Sequence, residues 1–421
     1  MYRYVKALIP MLLIIQPIYN YNYNRNQLQI RFNANRTRGA FHRFWRSTGL
    51  CPLDPKTDAY KFLLSQDEKI NLVLIGSLPN KGIRHVRIHW LLNLIQESEH
   101  DGQYNFTYLD NLIDHLTEYN LRPGFEIMGN PISSKPFNVT YKSNINWTRI
   151  VQQISLRYID KYGIKEVKKW KFETWNEPDL KSYNSLNFTL PEYLTYVQET
   201  SKGLQKAFAS KKSIGKLGGP AGLFKDKHHH PLCWGVLEIC GKNNTSAKCP
   251  FQFLSFHKKG DSSAEGLMNV TLSFLDEISE RYPGLKSIPI ANDEADLLAN
   301  WSKSEEWRAD VRYAANVLKV IAGYYKSVEL DRKWKIEALS NDNAFLNYHP
   351  YYFTQRTLFS RFQMNETTPP HVQFIKKPVY SVMGMLSFLK GERLVKKDKI
   401  NQDPILTILA TKNGNKKYLI N

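Results

Sequence analysis

Cysteine is scarce in this 421-residue chain, which has four, at positions 51, 233, 240 and 249. None falls in a C-x-x-C pair or a cysteine/histidine spacing that suits zinc. Cys233, Cys240 and Cys249 cluster closely enough for one local disulfide under oxidising conditions, and the spacing leaves its partners open. Acidic residues are also in short supply, 39 against 58 Lys and Arg, for a formal net charge of +19. Such a chain tends to meet polyanions, although scattered surface lysines that aid solubility give the same total. Zinc-finger spacing, an RNA-recognition signature and a Gly-rich phosphate loop are all missing, so nothing favours nucleic acid. Long apolar runs are missing too. The stretch Ala7–Ile15 is too short to cross a bilayer, which takes about 20 residues, so no stable membrane insertion is expected. Behind the basic Arg3 and Lys6 it reads as the apolar core of a signal sequence over residues 1–20.

What is present is the composition of a globular protein, 42% hydrophobic and 13% aromatic. The sequon N-x-S/T occurs at Asn35, Asn105, Asn138, Asn146, Asn187, Asn243, Asn244, Asn269, Asn300 and Asn365. Together with the leader-like segment it points to the secretory pathway, with a lysosomal or extracellular destination.

From about residue 43 to 392, short β-rich apolar runs alternate with helical patterns. The runs are FWRST (44–48), VRIHW (86–90), PGFEIMG (123–129), WKFETWN (170–176), GKLGGP (215–220), FQFLSFH (251–257), IPIANDE (288–294) and IEALSND (336–342). Each is followed by enough chain for a crossover helix, as in 108–119 and 194–208, where apolar residues recur at i, i+3 and i+4. Repeated strand–helix units imply parallel pairing, and eight close into a (β/α)8 TIM barrel of the α/β class. Leu28, Ile30 and Phe32 alternate with polar residues over 26–42. Ile405–Ala410 and Lys417–Ile420 flank an Asn413-Gly414 turn beyond the helical stretch Val379–Leu389. These segments predict a small accessory β-sheet beside the barrel, one that residues 393–421 begin and leave incomplete.

Barrel chemistry sits at the C-terminal strand ends. Those ends place Trp45/Arg46, His89, Asn130, Asn176/Glu177, His257/Lys259, Glu294 and Asp342 around one mouth. The informative pair is W-N-E-P (175–178) after the fourth strand and N-D-E-A-D (292–296) after the seventh, because these strands face each other across the ring. Two carboxyl groups across a scissile bond are what glycoside cleavage requires: one donates a proton to the leaving oxygen, and the other attacks or directs water. Taken singly, each glutamate reads as an ordinary surface charge. Arg87, inside the second strand, can face Glu294 or pair with the interior-phase Glu173.

The strings FWRSTG (44–49), VRIHWLL (86–92), PGFEIMG (123–129) and KFETWNEPD (171–179) resemble glycoside hydrolase family 39. So do NDEAD (292–296), WRADVRYAANVLKVIA (307–322), LSNDNAFLNYHP (339–350), QRTLF (355–359) and PPHVQ (369–373). The resemblance covers essentially the whole barrel. It implies a retaining exo-glycosidase that removes terminal α-L-iduronic acid from the sulfated glycosaminoglycans dermatan and heparan sulfate, without a metal or organic cofactor. It makes Glu177 the general acid/base, Glu294 the nucleophile and Asn176 a partner of the sugar 2-hydroxyl. Lys259 and Arg356 match positions that contact the substrate, as their charge suits a uronate carboxylate. Asp342 would accept from a sugar hydroxyl or orient Arg356, and His89 is another sugar contact. His257 is better suited to a structural hydrogen bond. For the pair to work at acidic pH, Glu294 should be ionised while Glu177 holds a proton.

The sequence departs from the pattern in places. Pro52 is retained, but Asp54 and Lys56 alter the loop after the first strand. Asn300 stands where the family has a glycine whose backbone approaches substrate, and its sequon would put a glycan near the pocket. A β-xylosidase of the same family would share Glu177 and Glu294 without needing Lys259 and Arg356. A non-catalytic glycosaminoglycan binder on a truncated barrel is the reading from another class.

Overall fold

The computed structural model describes residues 32–420 except 54–57, 99–102, 133–144, 243–248, 342, 349–352 and 397–407. The expected signal sequence, the alternation at Leu28 and Ile30, and Asp54, Lys56 and Asp342 therefore lie outside the described residues. In chain order the strands are β1 (Phe32–Ala40), β2 (Ser47–Leu50), β3 (His85–Ile88), β4 (Gln96–Glu97), β5 (Tyr104–Asn105), β6 (Arg122–Glu126), β7 (Lys171–Glu173) and β8 (Leu217–Gly222). They continue with β9 (Phe253–Phe256), β10 (Ile290–Asn292), β11 (Ile336–Leu339), β12 (Phe359–Met364), β13 (His371–Lys376), β14 (Glu392–Lys396), β15 (Leu409–Asn413) and β16 (Lys416–Ile420).

Eight of these form one parallel sheet in the order β11-β10-β9-β8-β7-β6-β3-β2. A parallel bridge between Ser47 and Ser340 joins its two ends into a ring, and the Leu339 amide donates to the Phe44 carbonyl at 3.0 Å. Strands this short and this buried can be apolar throughout because helices cover their outer face. The helices Thr107–Glu118 and Leu190–Ala209 fall where the 3.6-residue periodicity predicts them. Each buries one leucine- or tyrosine-rich stripe and leaves its charges outside. The second begins with a capping box between Thr189 and Glu192, which satisfies amide groups left over in the first turn.

One strand is misplaced by the sequence reading. FWRST predicts a strand that ends near Thr48, with Trp45 and Arg46 at the mouth. In the structure β2 only begins at Ser47, so Trp45 and Arg46 lie at the opposite, N-terminal end of the barrel. The aromatic run mimics strand composition because it fills a hydrophobic plug. Trp45 is fully buried, and Phe41 and Phe44 pack on Tyr325 with ring centroids 4.7 and 4.6 Å apart.

β1 pairs with the last three strands in an antiparallel sheet of order β1-β14-β15-β16, with the β15–β16 turn carrying Gly414 at φ 58°. The helix before it spans Pro378–Leu386. Cys240 and Cys249 form the disulfide, while Cys51 and Cys233 are not part of it. Among the described residues no helix is long and apolar enough to cross a membrane.

Candidate active site

The C-terminal strand ends converge on a buried charge network. Arg87 of β3 stands in the barrel axis and is the cation around which the acids are arranged. Its Nε contacts Glu173 of β7, and Nη2 lies 3.1 Å from Glu126 of β6. Nη1 donates to Glu294 Oε1 at 3.3 Å. Nη2 also donates to the Asn176 side-chain oxygen at 2.9 Å, which fixes that amide with its NH2 as the remaining donor. Arg87 thus holds Glu294 and Glu173 at once, where the sequence offered either role.

Glu177 follows β7 in a left-handed conformation, φ 42°, anchored by its amide donating to the Ala221 carbonyl at 2.8 Å. Non-glycine residues at positive φ are uncommon and concentrate where function sets the geometry. Two residues on, Asp179 accepts from the Leu232 and Cys233 amides at 2.8 and 3.1 Å and caps the helix Pro231–Lys242. The string W-N-E-P-D is therefore pinned on both sides of the glutamate.

His257 and Lys259, just past β9, lie between the two glutamates. His257 Nδ1 donates to Glu177 Oε1 at 2.8 Å and lies 3.5 Å from Glu294 Oε2. Its Nε2 is 3.3 Å from Asp293. Burial opposes a charge on this ring, but Glu294, Asp293 and Glu177 raise its pKa to about 10, so it is an imidazolium. The Lys259 ammonium lies 3.1 Å from Glu177 and 2.8 Å from Glu294. A carboxylate oxygen of each glutamate and a ring nitrogen of His257 lie within 4.8 Å of one another. That cluster is the kind that can hold a metal ion, but here a protonated histidine and an ammonium supply the positive charge. Carboxyl oxygens this close suit the about 5–5.5 Å carboxyl separation of retaining glycosidases.

Burial pushes the Glu294 carboxyl up, yet His257, Lys259, His89 and Arg87 together hold it well below the ordinary value. Glu177 departs from expectation. Burial and the Glu294 charge push it up, but the hydrogen bond from His257 and the charge of Lys259 outweigh them and leave it lowered. Both glutamates are thus held toward the ionised form, Glu177 included. Glu173 takes the opposite course: burial raises it to about 8 against the pull of Arg87. It holds a proton and donates to Asp293, which stays ionised beside Arg87 and His257.

Of the other expected site residues, His89 is buried, with Nδ1 3.0 Å from Glu126 and its ring 6.1 Å from Phe345. Pro52 is buried directly after β2. Arg356 is 2% exposed and sits over the Phe345 ring at 5.7 Å. It pairs with the Asp296 carboxylate, the last residue of NDEAD, while Asp342, expected to accept from a sugar hydroxyl or orient Arg356, lies outside the described residues. Burial lowers Arg356 to about 9, with Glu294 opposing. Asn300 has φ 63°, the glycine-like conformation that asparagine tolerates best among residues with side chains. Its loop is held by the buried Arg308, whose guanidinium donates to the carbonyls of Leu298, Ala299, Asn300 and Lys303 at 2.6–3.2 Å.

Sequence reasoning missed Glu126, Asp293 and Tyr183. Glu126 carried a readable signal, an acid flanked by Phe125 and Ile127 on a strand meant to be buried, and Asp293 stood inside the NDEAD string beside Glu294. Tyr183, near enough to Glu294 and Glu177 for both charges to raise its hydroxyl pKa, carried none.

Residues 28–420 match the family described as Glycosyl hydrolases family 39. The chain is 42% identical over 360 residues to the mouse protein named Alpha-L-iduronidase, covering 83% of this chain and 56% of that one. It is 40% identical over 394 residues to the Drosophila melanogaster protein of the same name, covering 88% and 60%. The chain thus spans a little over half the length of these relatives. A solved structure described as the bacterial orthologue of human α-L-iduronidase superposes with a TM-score of 0.75 at 26% identity, covering 90% of this chain and 62% of that one. With the barrel, the facing glutamates and the match across nearly every described element in agreement, the chain belongs to glycosyl hydrolase family 39.

Proposed function

We propose that this barrel hydrolyses terminal α-L-iduronic acid residues of dermatan or heparan sulfate by double displacement. Glu294 attacks the anomeric carbon while Glu177 gives its proton to the departing glycosidic oxygen. Water then attacks the glycosyl ester, Glu177 takes its proton, and iduronic acid leaves with retained configuration. The Asn176 NH2 is the donor for the 2-hydroxyl.

The observation that carries the substrate is Lys259, an ammonium bonded to both glutamates with the Arg356 guanidinium beside it. A uronate carboxylate competes for that ammonium. Drawing Lys259 toward the sugar removes a cation that keeps Glu177 ionised, so substrate arrival itself favours protonation of the acid. Glu294 keeps His257, His89 and Arg87 and stays ionised. A neutral sugar leaves Lys259 between the glutamates and Glu177 without its proton. This reconciles the lowered pKa of Glu177 with a role as proton donor.

A secretory or lysosomal setting is supported by the basic, leader-like Arg3–Ile15 segment and the Cys240–Cys249 disulfide. Asn105, Asn146, Asn187, Asn269, Asn300 and Asn365 are all exposed and open to glycosylation.

Assaying a fluorogenic α-L-iduronide against the matching β-xyloside, at pH about 4–6, tests the reading. Turnover of the iduronide with little of the xyloside is expected. Turnover of the xyloside alone would overturn it.

A further inference from the structure

The far end of the barrel is also charged. Arg46 directly precedes β2, Arg84 precedes β3, Arg122 opens β6, and Lys169 lies two residues before β7. These four strands are neighbours in the sheet. The Arg84 amide donates to the Arg46 carbonyl at 3.0 Å and the Arg122 amide to the Arg84 carbonyl at 2.6 Å, so three arginines stand on one rung. Arg43 and Lys81 join the cluster: Arg43 reaches the carbonyls of Asn80 and Ser387, both at 3.2 Å.

Two carboxylates answer these charges at the rim. Glu166 takes two hydrogen bonds from Arg122, at 2.5 and 3.0 Å, and one from Lys169 at 3.2 Å. Glu337 is occupied by Lys171 and Lys216, at 3.8 and 3.2 Å, farther round the ring. That leaves Arg46, Arg84 and Lys81 without a hydrogen-bonded carboxylate among the described residues, with the Glu166 charge acting on Arg84 and Lys81 against that of the neighbouring arginines. Arg84 Nε is buried and makes no hydrogen bond among the described residues. After burial itself, the charges of Arg43, Arg84 and Arg122 depress Arg46 to about 10, and Arg84 and Lys81 are lowered in the same way. A fold gains nothing by packing like charges together, so the cost is the mark of a site that awaits an anion.

We propose that this N-terminal rim is a second anion-binding site, which takes a sulfated polysaccharide segment across Arg46, Arg84 and Lys81, with Arg122 and Lys169, already paired to Glu166, at its edge. Adjacent strands lie about 4.8 Å apart, so the three arginine positions span roughly 10 Å. That is too broad for one sulfate group and suited to a chain that bears several. Nucleic acid is the other polyanion of this kind, but binding single strands relies on aromatic platforms. The aromatics beside these cations, Trp45 and Trp170, are at most 2% exposed. Because the glutamates open at the opposite end of the barrel, the rim tethers a polymer without occupying the cleavage site. The proposal stands apart from the function proposed above: it concerns a different surface and requires no turnover.

The test is heparin affinity of the full chain, by calorimetry and by salt elution from immobilised heparin. It compares the wild type with Arg46→Gln/Arg84→Gln and with Lys81→Gln/Lys169→Gln, whose side chains are exposed, in case the first pair disturbs folding. Each pair should weaken heparin binding at least about fivefold and flatten its salt dependence by about two ions. Hydrolysis of a small fluorogenic uronide should be unchanged. Lys259→Gln should keep its heparin affinity. Unchanged heparin affinity in both rim variants would overturn the site. Equal or tighter binding of poly(U) at the same salt would overturn the ligand class.

Discussion

Lys259 is the residue on which the active-site account turns. It bonds both glutamates, and its removal should raise both carboxyl pKa values, because its charge lowers each. In Lys259→Gln the acidic limb of the kcat/KM profile, set by ionisation of Glu294, should move to higher pH. kcat/KM for an α-L-iduronide should fall about thirtyfold or more, the cost of truncating one partner of a buried charge pair. A pH–rate profile checks both. An unshifted acidic limb would mean that Lys259 does not govern the glutamates. At this scale the sequence was informative where a motif carried the residue, as for Glu177, Glu294, Asn176 and Lys259. It was weaker where a charge state emerges only from neighbours brought together by folding. His257 reads as an ordinary structural histidine until three carboxylates from two other strands surround it. Glu177 reads as a ready acid until Lys259 and His257 arrive.

At the scale of single elements, the helix Gln66–Gly76 carries an acid that forms no ion pair among the described residues. Glu68 is fully buried, accepts from the Asn71 amide at 2.9 Å, and is raised by burial to about 8. The same Asn71 amide donates to the Ala344 carbonyl at 2.8 Å, which ties the helix to the segment bearing Phe345. Below about pH 4.5 the carboxyl is protonated both folded and unfolded, and its contribution to stability is fully present. As pH rises the unfolded chain releases this proton first, so the contribution declines until the folded group ionises near pH 8. Urea unfolding of wild type and Glu68→Gln between pH 5 and 8 should therefore show the variant gaining on the wild type as pH rises. The gain should be at most about 1.4 kcal/mol per pH unit. Parallel curves would show that Glu68 is not protonated in the fold. The sequence-level view of elements succeeded for the long helices, whose amphipathic period is unambiguous. It failed for FWRST, where aromatic density stood in for strand periodicity and moved Arg46 to the wrong end of the barrel. That error hid the basic rim, which becomes visible only once β2 is seen to start at Ser47.

For the whole molecule, the barrel followed from the strand–helix rhythm, and the placement of WNEP and NDEAD followed from the barrel. The interior of the ring was less legible. Apolar layers are the rule in such barrels, whereas here Arg87, Glu173 and Asp293 fill the axis beneath the glutamates, buried to within about 5% of full exclusion. This polar column explains how two carboxylates 4.8 Å apart or less remain ionised: Arg87 and His257 neutralise them from below, and Glu173 absorbs a surplus proton. On the proposed mechanism, such a site is primed for nucleophilic attack by Glu294 and depends on its substrate to protonate Glu177. The most direct measurement is proton NMR of an aryl α-L-iduronide during its first minutes of hydrolysis at acidic pH. Release of α-L-iduronic acid as the first anomer, followed by mutarotation, is the result this account expects. First appearance of the β-anomer would contradict it, because water rather than Glu294 would then have made the attack.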